Sequence, residues 1–241
     1  MTTLFPRSVK YDPAWVADNL MGPNVLWLTE SLCSRLELRP DMRVMDLGCG
    51  KALSSIFLAK EFGVQVWATD LWIKPTENWE RIRQASLQDR VFPVYAEARS
   101  LPYADEFFDV IASVDAYHYF GTDDLYLERI VRFLKPDGRL AIACPAYKQE
   151  LTENIPDYLR EAYHHQQWHS FHTPAWWRRH WEKTGAVEVL CAEEVPEAAE
   201  IWNSNAGPGN PDTAVVLADQ GRLLTFSRVV ARKVPKRPDQ T

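Results

Sequence analysis

The sequence predicts an α/β protein built on a doubly wound, seven-stranded sheet. The sheet is expected to be mostly parallel with an antiparallel last strand, and helices should cover both faces. Three observations carry this. Short apolar runs alternate with helix-like segments, the order that gives a parallel sheet with helical crossovers. The run at 44–47 breaks into two glycines at alternate positions, Gly48 and Gly50, and then enters a helical stretch, Ala52–Phe62. The last two apolar runs keep a different rhythm and are separated by Gly207–Pro211, as an antiparallel edge requires.

In chain order, strands are expected at about 43–48, 64–69, 91–96, 108–114, 139–144, 186–193 and 222–232. Helices fall near 51–62, 76–87, 123–134 and 174–184. Asp123 and Asp124 cap the third of these helices, and Lys135-Pro136-Asp137-Gly138 stops it. A short helix is expected between the last two strands, and the tail 234–241 should fray. Residues 1–40 read as an N-terminal helical cap and 41–145 as the ligand-binding half of the main domain. Residues 146–173 read as an aromatic and histidine-rich lid, and 174–234 complete the same domain.

With 241 residues the chain is one large domain or a domain with an appended lid. A net charge of −6 argues against nucleic acid or an anionic membrane as partner, because both are recognised through basic surface. No apolar run approaches the roughly 20 residues of a membrane helix, and the first residues show no signal-peptide apolar region. Four widely spaced cysteines, Cys33, Cys49, Cys144 and Cys191, suit a reduced, cytoplasmic protein.

The glycine turn marks where a nucleotide-like ligand docks in an open α/β sheet. Two features set it apart from a pyrophosphate cradle. Ala52 stands near where a third glycine would be, and Asp46 at the strand end would repel phosphate. Asp70 closes the second strand, where a ribose-binding carboxylate is expected about 20 residues on. A ligand with a ribose and an amino group but no phosphate fits both acids, and S-adenosylmethionine is such a ligand.

Four segments in the right order then resemble the class I S-adenosylmethionine-dependent methyltransferases, whose sheet is Rossmann-like. They are Asp46-Leu-Gly48-Cys49-Gly50 with Asp70, Ala96–Pro102, Phe108–Asp115, and Leu134–Ala143. The sequence departs from the family in having Glu97 where Asp is usual and one glycine, Gly138, where two are usual. The resemblance implies that Asp46 binds the donor's ammonium while the Gly48–Gly50 backbone approaches its methionine part. It implies that Asp70 accepts from both ribose hydroxyls and that Leu71 and Trp72 flank the adenine. Glu97 would accept from the adenine amino group, with the Ala98 N–H donating to a ring nitrogen. The segment 113–120 would supply donor and acceptor contacts, including Asp115 and Tyr117.

His118 is a candidate general base, the alternative being a histidine that only packs or bonds a carbonyl. Tyr11, in a stretch resembling the N-terminal cap of small-molecule methyltransferases, is a second catalytic candidate. Tyr147 and His169 are candidate substrate walls in the lid. The histidines at 164, 165, 169 and 172 raise a metal site. No cysteine or carboxylate joins them and the chemistry needs no metal, so none is expected. Trp176, Trp177 and Trp181 read as core.

These readings converge on methyl transfer to an N, O, S or C atom of a small molecule. Some resemblance to the cyclopropane fatty-acid synthase branch leaves a lipid-modifying enzyme as an alternative. A nucleic-acid methyltransferase and a non-catalytic S-adenosylmethionine binder are the others. Pairing of two chains through the sheet edge or the lid stays open.

Overall fold

The computed structural model describes residues 4–235 apart from Asn205 and Pro208, so the end of the expected frayed tail, 236–241, lies outside the described residues. Its centre is a seven-stranded sheet of β1 (Arg43–Leu47), β2 (Gln65–Asp70), β3 (Val91–Tyr95), β4 (Phe108–Val114), β5 (Leu134–Tyr147), β6 (Val187–Glu194) and β7 (Leu224–Lys233). The spatial order is β3-β2-β1-β4-β5-β7-β6. Strands β1 to β5 are parallel, and β7 runs antiparallel to β5 and β6. The chain winds outward from β1 to β3, then returns to place β4 on the other side of β1. That reversal opens a crevice at the carboxyl ends of β1 and β4, where ligands bind in such sheets.

The last two strands form the antiparallel edge that the sequence suggested, with β6 outermost. β7 lies between β5 and β6, and its first eight residues are buried. The connection from β6 carries α8 (Ala198–Ser204) and α9 (Thr213–Asp219), where one short helix was expected. Trp202 of α8 stacks on Phe226 of β7 at 4.8 Å, which turns the connection back over the sheet.

The crossover helices are α3 (Leu53–Phe62), α4 (Pro75–Gln84), α5 (Tyr126–Val131) and α7 (Pro174–Glu182). α5 is shorter than expected because Asp123 makes a turn of its own, its Oδ1 accepting from the Leu125 N–H at 2.8 Å. β5 is longer than expected at both ends. Leu134 already pairs with Phe108 ahead of a register shift, and Tyr147 still pairs with Leu224. Ahead of β1, α1 (Pro13–Asn19) and α2 (Val25–Cys33) form a helical segment. The buried Arg228 guanidinium of β7 ties α2 to the sheet, donating to the Ser31 carbonyl at 2.7 Å.

Strand alternation sorts the core onto two faces. Val44, Val66 and Val110 pack with Ile56 and Phe57 of α3. Met45 and Ile111 face the other way, toward Tyr117, Tyr126, Trp177 and Trp181. Trp177 and Trp181 are fully buried, as their spacing predicted, whereas Trp176 is half-buried between the rings of His172 (3.7 Å) and His180 (4.4 Å). Between β5 and α7 lies α6 (Arg160–His165), flanked by single helical turns at Asp157–Leu159 and Trp168–Ser170.

Candidate active site

The turn after β1 is built by three backbone constraints. Gly48 has φ 75°, and a Cβ there would meet the Ala116 Cβ at 2.4 Å. Gly50 has φ 52°, and a Cβ there would meet the Met21 sulfur at 2.9 Å. Ala52 is also left-handed, at φ 63°, the conformation for which glycine is the usual choice. The turn is pinned to the end of β2. Gly48 and Cys49 N–H groups donate to the Thr69 carbonyl at 2.8 and 3.2 Å, and the Gly50 N–H donates to Asp70 Oδ2 at 2.8 Å. These three N–H groups are therefore spent inside the protein, and the turn is not a phosphate nest.

A cavity of about 250 Å³ opens over this turn. Its floor is Gly48, Cys49 and Gly50, one wall is Asp70, Leu71 and Trp72, and the far end is Glu97 and Ala98. Asp115 and Ala116 line the side beyond β4. Nine of the residues expected at the ligand thus meet in one cavity: Gly48, Cys49, Gly50, Asp70, Leu71, Trp72, Glu97, Ala98 and Asp115.

Asp70 Oδ1 accepts from the Trp72 and Ile73 N–H groups at 2.7 and 2.9 Å. Together with the Gly50 bond, these fix the carboxylate rigidly. Glu97 closes on Arg99: Oε2 accepts from the Arg99 N–H at 2.7 Å and Oε1 from its guanidinium at 3.1 Å. Asp115 sits in the left-handed region at φ 56°, a conformation that Asp tolerates better than most residues. Its Oδ2 lies 2.6 Å from where a Gly22 Cβ would stand. Burial, with the Asp212 carboxylate adding to it, pushes the Asp115 carboxyl up to about 8.

The structure places the other expected site residues elsewhere, and each displacement has a physical cause. Asp46 does not line the cavity. It is fully buried behind the turn, where Ser54 and Ser55 of α3 each donate to Oδ2 at 2.6 Å and Oδ1 has no hydrogen-bond partner. Burial pushes its carboxyl up to about 6. Tyr11 is a core residue stacked near Trp15 and Phe57, its hydroxyl donating to Glu61 at 3.4 Å. Tyr117 points into the apolar cluster with Tyr126, Trp177 and Trp181, and its hydroxyl has no partner. Tyr147 donates to the Trp168 carbonyl at 3.1 Å, and His169 Nδ1 lies 3.2 Å from the Tyr163 carbonyl. Neither of the two lines the cavity.

His118 is also behind the wall. It is 2% exposed, with its ring 4.0 Å from that of Tyr119 and edge-on to Phe171 at 5.2 Å. Burial pushes its ring down to about 3, so it stays neutral near pH 7 and is a poor proton acceptor in this conformation. The histidines at 164, 165, 169 and 172 do not converge either. His172 Nδ1 lies 2.9 Å from Glu150, and no group of three or more His, Cys, Asp or Glu side chains among the described residues is arranged to hold a metal ion.

The cavity also takes in Tyr119 and Phe120 from the expected 113–120 segment, and Met21, Gly22 and Pro23, among others, which were not singled out as ligand contacts. The Met21-Gly22-Pro23 tripeptide does carry a signal, a glycine placed for close approach, here to Asp115. The aromatic run 117–120 gave no phase, because a single helical turn at Tyr117–Tyr119 buries Tyr117 and leaves Tyr119 43% exposed.

Residues 45–142 match a methyltransferase domain family. The methyltransferase GfsG of Streptomyces halstedii is 35% identical over 117 residues, 48% of this chain and 42% of that protein. The 27-O-demethylrifamycin SV methyltransferase of Amycolatopsis mediterranei is 34% identical over 116 residues, 48% of this chain and 43% of that protein. The alignments thus span less than half the length of these relatives. Among solved structures, a geranyl diphosphate C-methyltransferase from Streptomyces coelicolor A3(2) superposes with a TM-score of 0.71. That match covers 86% of this chain and 76% of the other at 15% identity, a likeness of fold. With the winding of the sheet, the glycine turn and the acid closing β2, these matches give residues 45–142 the likeness of a methyltransferase domain.

Proposed function

We propose that this protein transfers a methyl group from S-adenosylmethionine to a small-molecule acceptor. The observation that carries the reading is one cavity with Asp70 on one side of the glycine turn and Asp115 on the other, over a turn whose N–H groups are already used. Such a site has acceptors for ribose and ammonium and lacks a cradle for phosphate. The apolar walls, Leu71 and Trp72 at one side and Phe120 at another, suit adenine and the thioether chain.

The residues act on the donor as follows. An ionised carboxylate has about four acceptor places, and three N–H groups occupy three of those on Asp70. The remaining place, on Oδ2, takes one ribose hydroxyl rather than both. The donor's ammonium goes to Asp115, because Asp46 is sealed behind Ser54 and Ser55. Glu97 turns from Arg99 to the adenine amino group, an exchange that costs little because exposed ion pairs contribute about 0–1 kcal/mol.

Methyl transfer is an in-line displacement, so holding donor and acceptor in line supplies most of the catalysis. His118 then acts by packing behind Tyr119, as a wall rather than a base. The acceptor approaches past Tyr119 and the Met21–Pro23 segment.

Incubation with methyl-labelled S-adenosylmethionine and a panel of amines, phenols, thiols and carboxylates tests the reading. Label in one acceptor class supports it. Binding of the donor with transfer to none would favour a non-catalytic binder, and failure to bind would refute the assignment.

A further inference from the structure

A second cavity, of about 220 Å³, lies on the outer side of the loop that carries Glu97. It is lined by Arg99 and Ser100 from that loop, by Arg129 of α5, and by Arg132 just beyond that helix. In a protein of net charge −6, three arginines line one small hollow, beside Leu101, Ile130 and Phe133, and leave it an excess of positive charge over the two carboxylates paired with them. Arg99 pairs with Glu97 at 3.1 Å and Arg132 with Asp105 at 3.2 Å, both in exposed geometry. The Arg129 side chain has neither hydrogen bond nor ion pair among the described residues. Ala98 and Arg99 line both this hollow and the donor cavity, so the loop is a shared wall. Tyr126 of α5 fixes that wall from behind, its hydroxyl donating to the Ala98 carbonyl at 3.1 Å.

We propose that the hollow is a binding site for a small phosphoryl oxyanion, such as phosphate or pyrophosphate, and that its occupancy strengthens donor binding. Guanidinium groups match phosphoryl oxygens in paired hydrogen bonds. Arg99 has two partners to choose between: Glu97, or an anion shared with Arg129 and Arg132. A multiply charged anion outcompetes a single exposed carboxylate, and Arg99 swings outward. Glu97 Oε1 then loses its guanidinium partner and becomes available to the adenine amino group, while Oε2 keeps the Arg99 N–H. The coupling rests on the reading of Glu97 as the adenine-edge acceptor, whereas the anion site itself does not.

The test is a titration of S-adenosylhomocysteine into the full-length protein by calorimetry, with and without pyrophosphate, and with inorganic phosphate as a second arm. A parallel phosphorus NMR titration reports anion binding directly. Wild-type protein should bind the nucleoside about fivefold more tightly with pyrophosphate present. The Arg129→Gln/Arg132→Gln variant should lose both the NMR response and the enhancement while keeping its anion-free affinity. Glu97→Gln should still bind the anion but show no enhancement. Phosphate acting alone would identify a single-phosphate site, and pyrophosphate acting alone a site for linked phosphates; either supports the proposal. No NMR response in wild type, or an enhancement that survives the double substitution, overturns the site. Anion binding without enhancement overturns the coupling. Arginine-dependent anion binding with no nucleoside binding at all would fault the donor assignment and leave the site standing.

Discussion

Asp115 is the residue on which the donor assignment makes its sharpest demand. Its carboxyl is pushed up to about 8, so at neutral pH the empty site holds a proton there. Binding an ammonium requires the ionised form. Donor affinity should therefore rise from pH 6.5 toward pH 8, and the rise should be smaller in Asp115→Asn; calorimetry of both proteins across that range isolates this group from the donor's own titration. The same shift has a consequence for stability. An acid raised by folding binds its proton more tightly in the native state, so its desolvation cost is absent below the ordinary carboxylate range. The cost grows as pH rises and is complete above about 8. Asp115→Asn should accordingly raise the melting temperature at pH 8.5 and leave it nearly unchanged at pH 4, as followed by circular dichroism. A larger gain at low pH would contradict the assignment. His118 makes the opposite kind of statement. As a packed, neutral wall it should tolerate His118→Asn with turnover reduced less than about tenfold, whereas a general base is worth about 10²–10⁴-fold. Steady-state rates on any acceptor found in the panel decide between the two.

At the scale of elements, the glycine turn and the N-terminal segment are one device. Met21 and Gly22 close on Gly50 and Asp115 with no room for added atoms. Gly22→Val places a branched side chain where the Asp115 carboxylate stands. Donor affinity should fall by about tenfold or more, roughly 1.4 kcal/mol or more, while α1 and α2 stay folded by circular dichroism. α7 is held differently, by wholly buried indoles. Trp181→Ala should destabilise the protein by about 3–5 kcal/mol in urea unfolding, as large aromatic truncations in cores do.

The contrast between these elements explains what could be read in the chain before its fold was known. Strand alternation and the glycine spacing are local, so the sheet, the turn and Asp70 were legible. Asp46 was legible as an acid at a strand end, but not as one claimed by Ser54 and Ser55, since serine at the start of a helix carries no sign of its partner. Tyr117 and Tyr119 differ only by the phase of a single turn, which no run of aromatics reveals. Tyr147 and His169 lay in a segment whose path is set by contacts with Trp168 and Tyr163, and those contacts exist only after folding.

For the whole molecule, the winding of the sheet makes the crevice between β1 and β4, and the N-terminal segment covers it. Three sides of the cavity come from stretches far apart in sequence: Met21–Pro23, Gly48–Trp72 and Val114–Phe120. The central claim is that this assembled cavity binds S-adenosylmethionine through Asp70. Equilibrium titration of S-adenosylmethionine into the wild-type protein and Asp70→Ala is the direct measurement. Saturable binding of one donor per chain, weakened about tenfold or more by the substitution, is the predicted result. Equal affinity of the two proteins, or no binding to either, would contradict it.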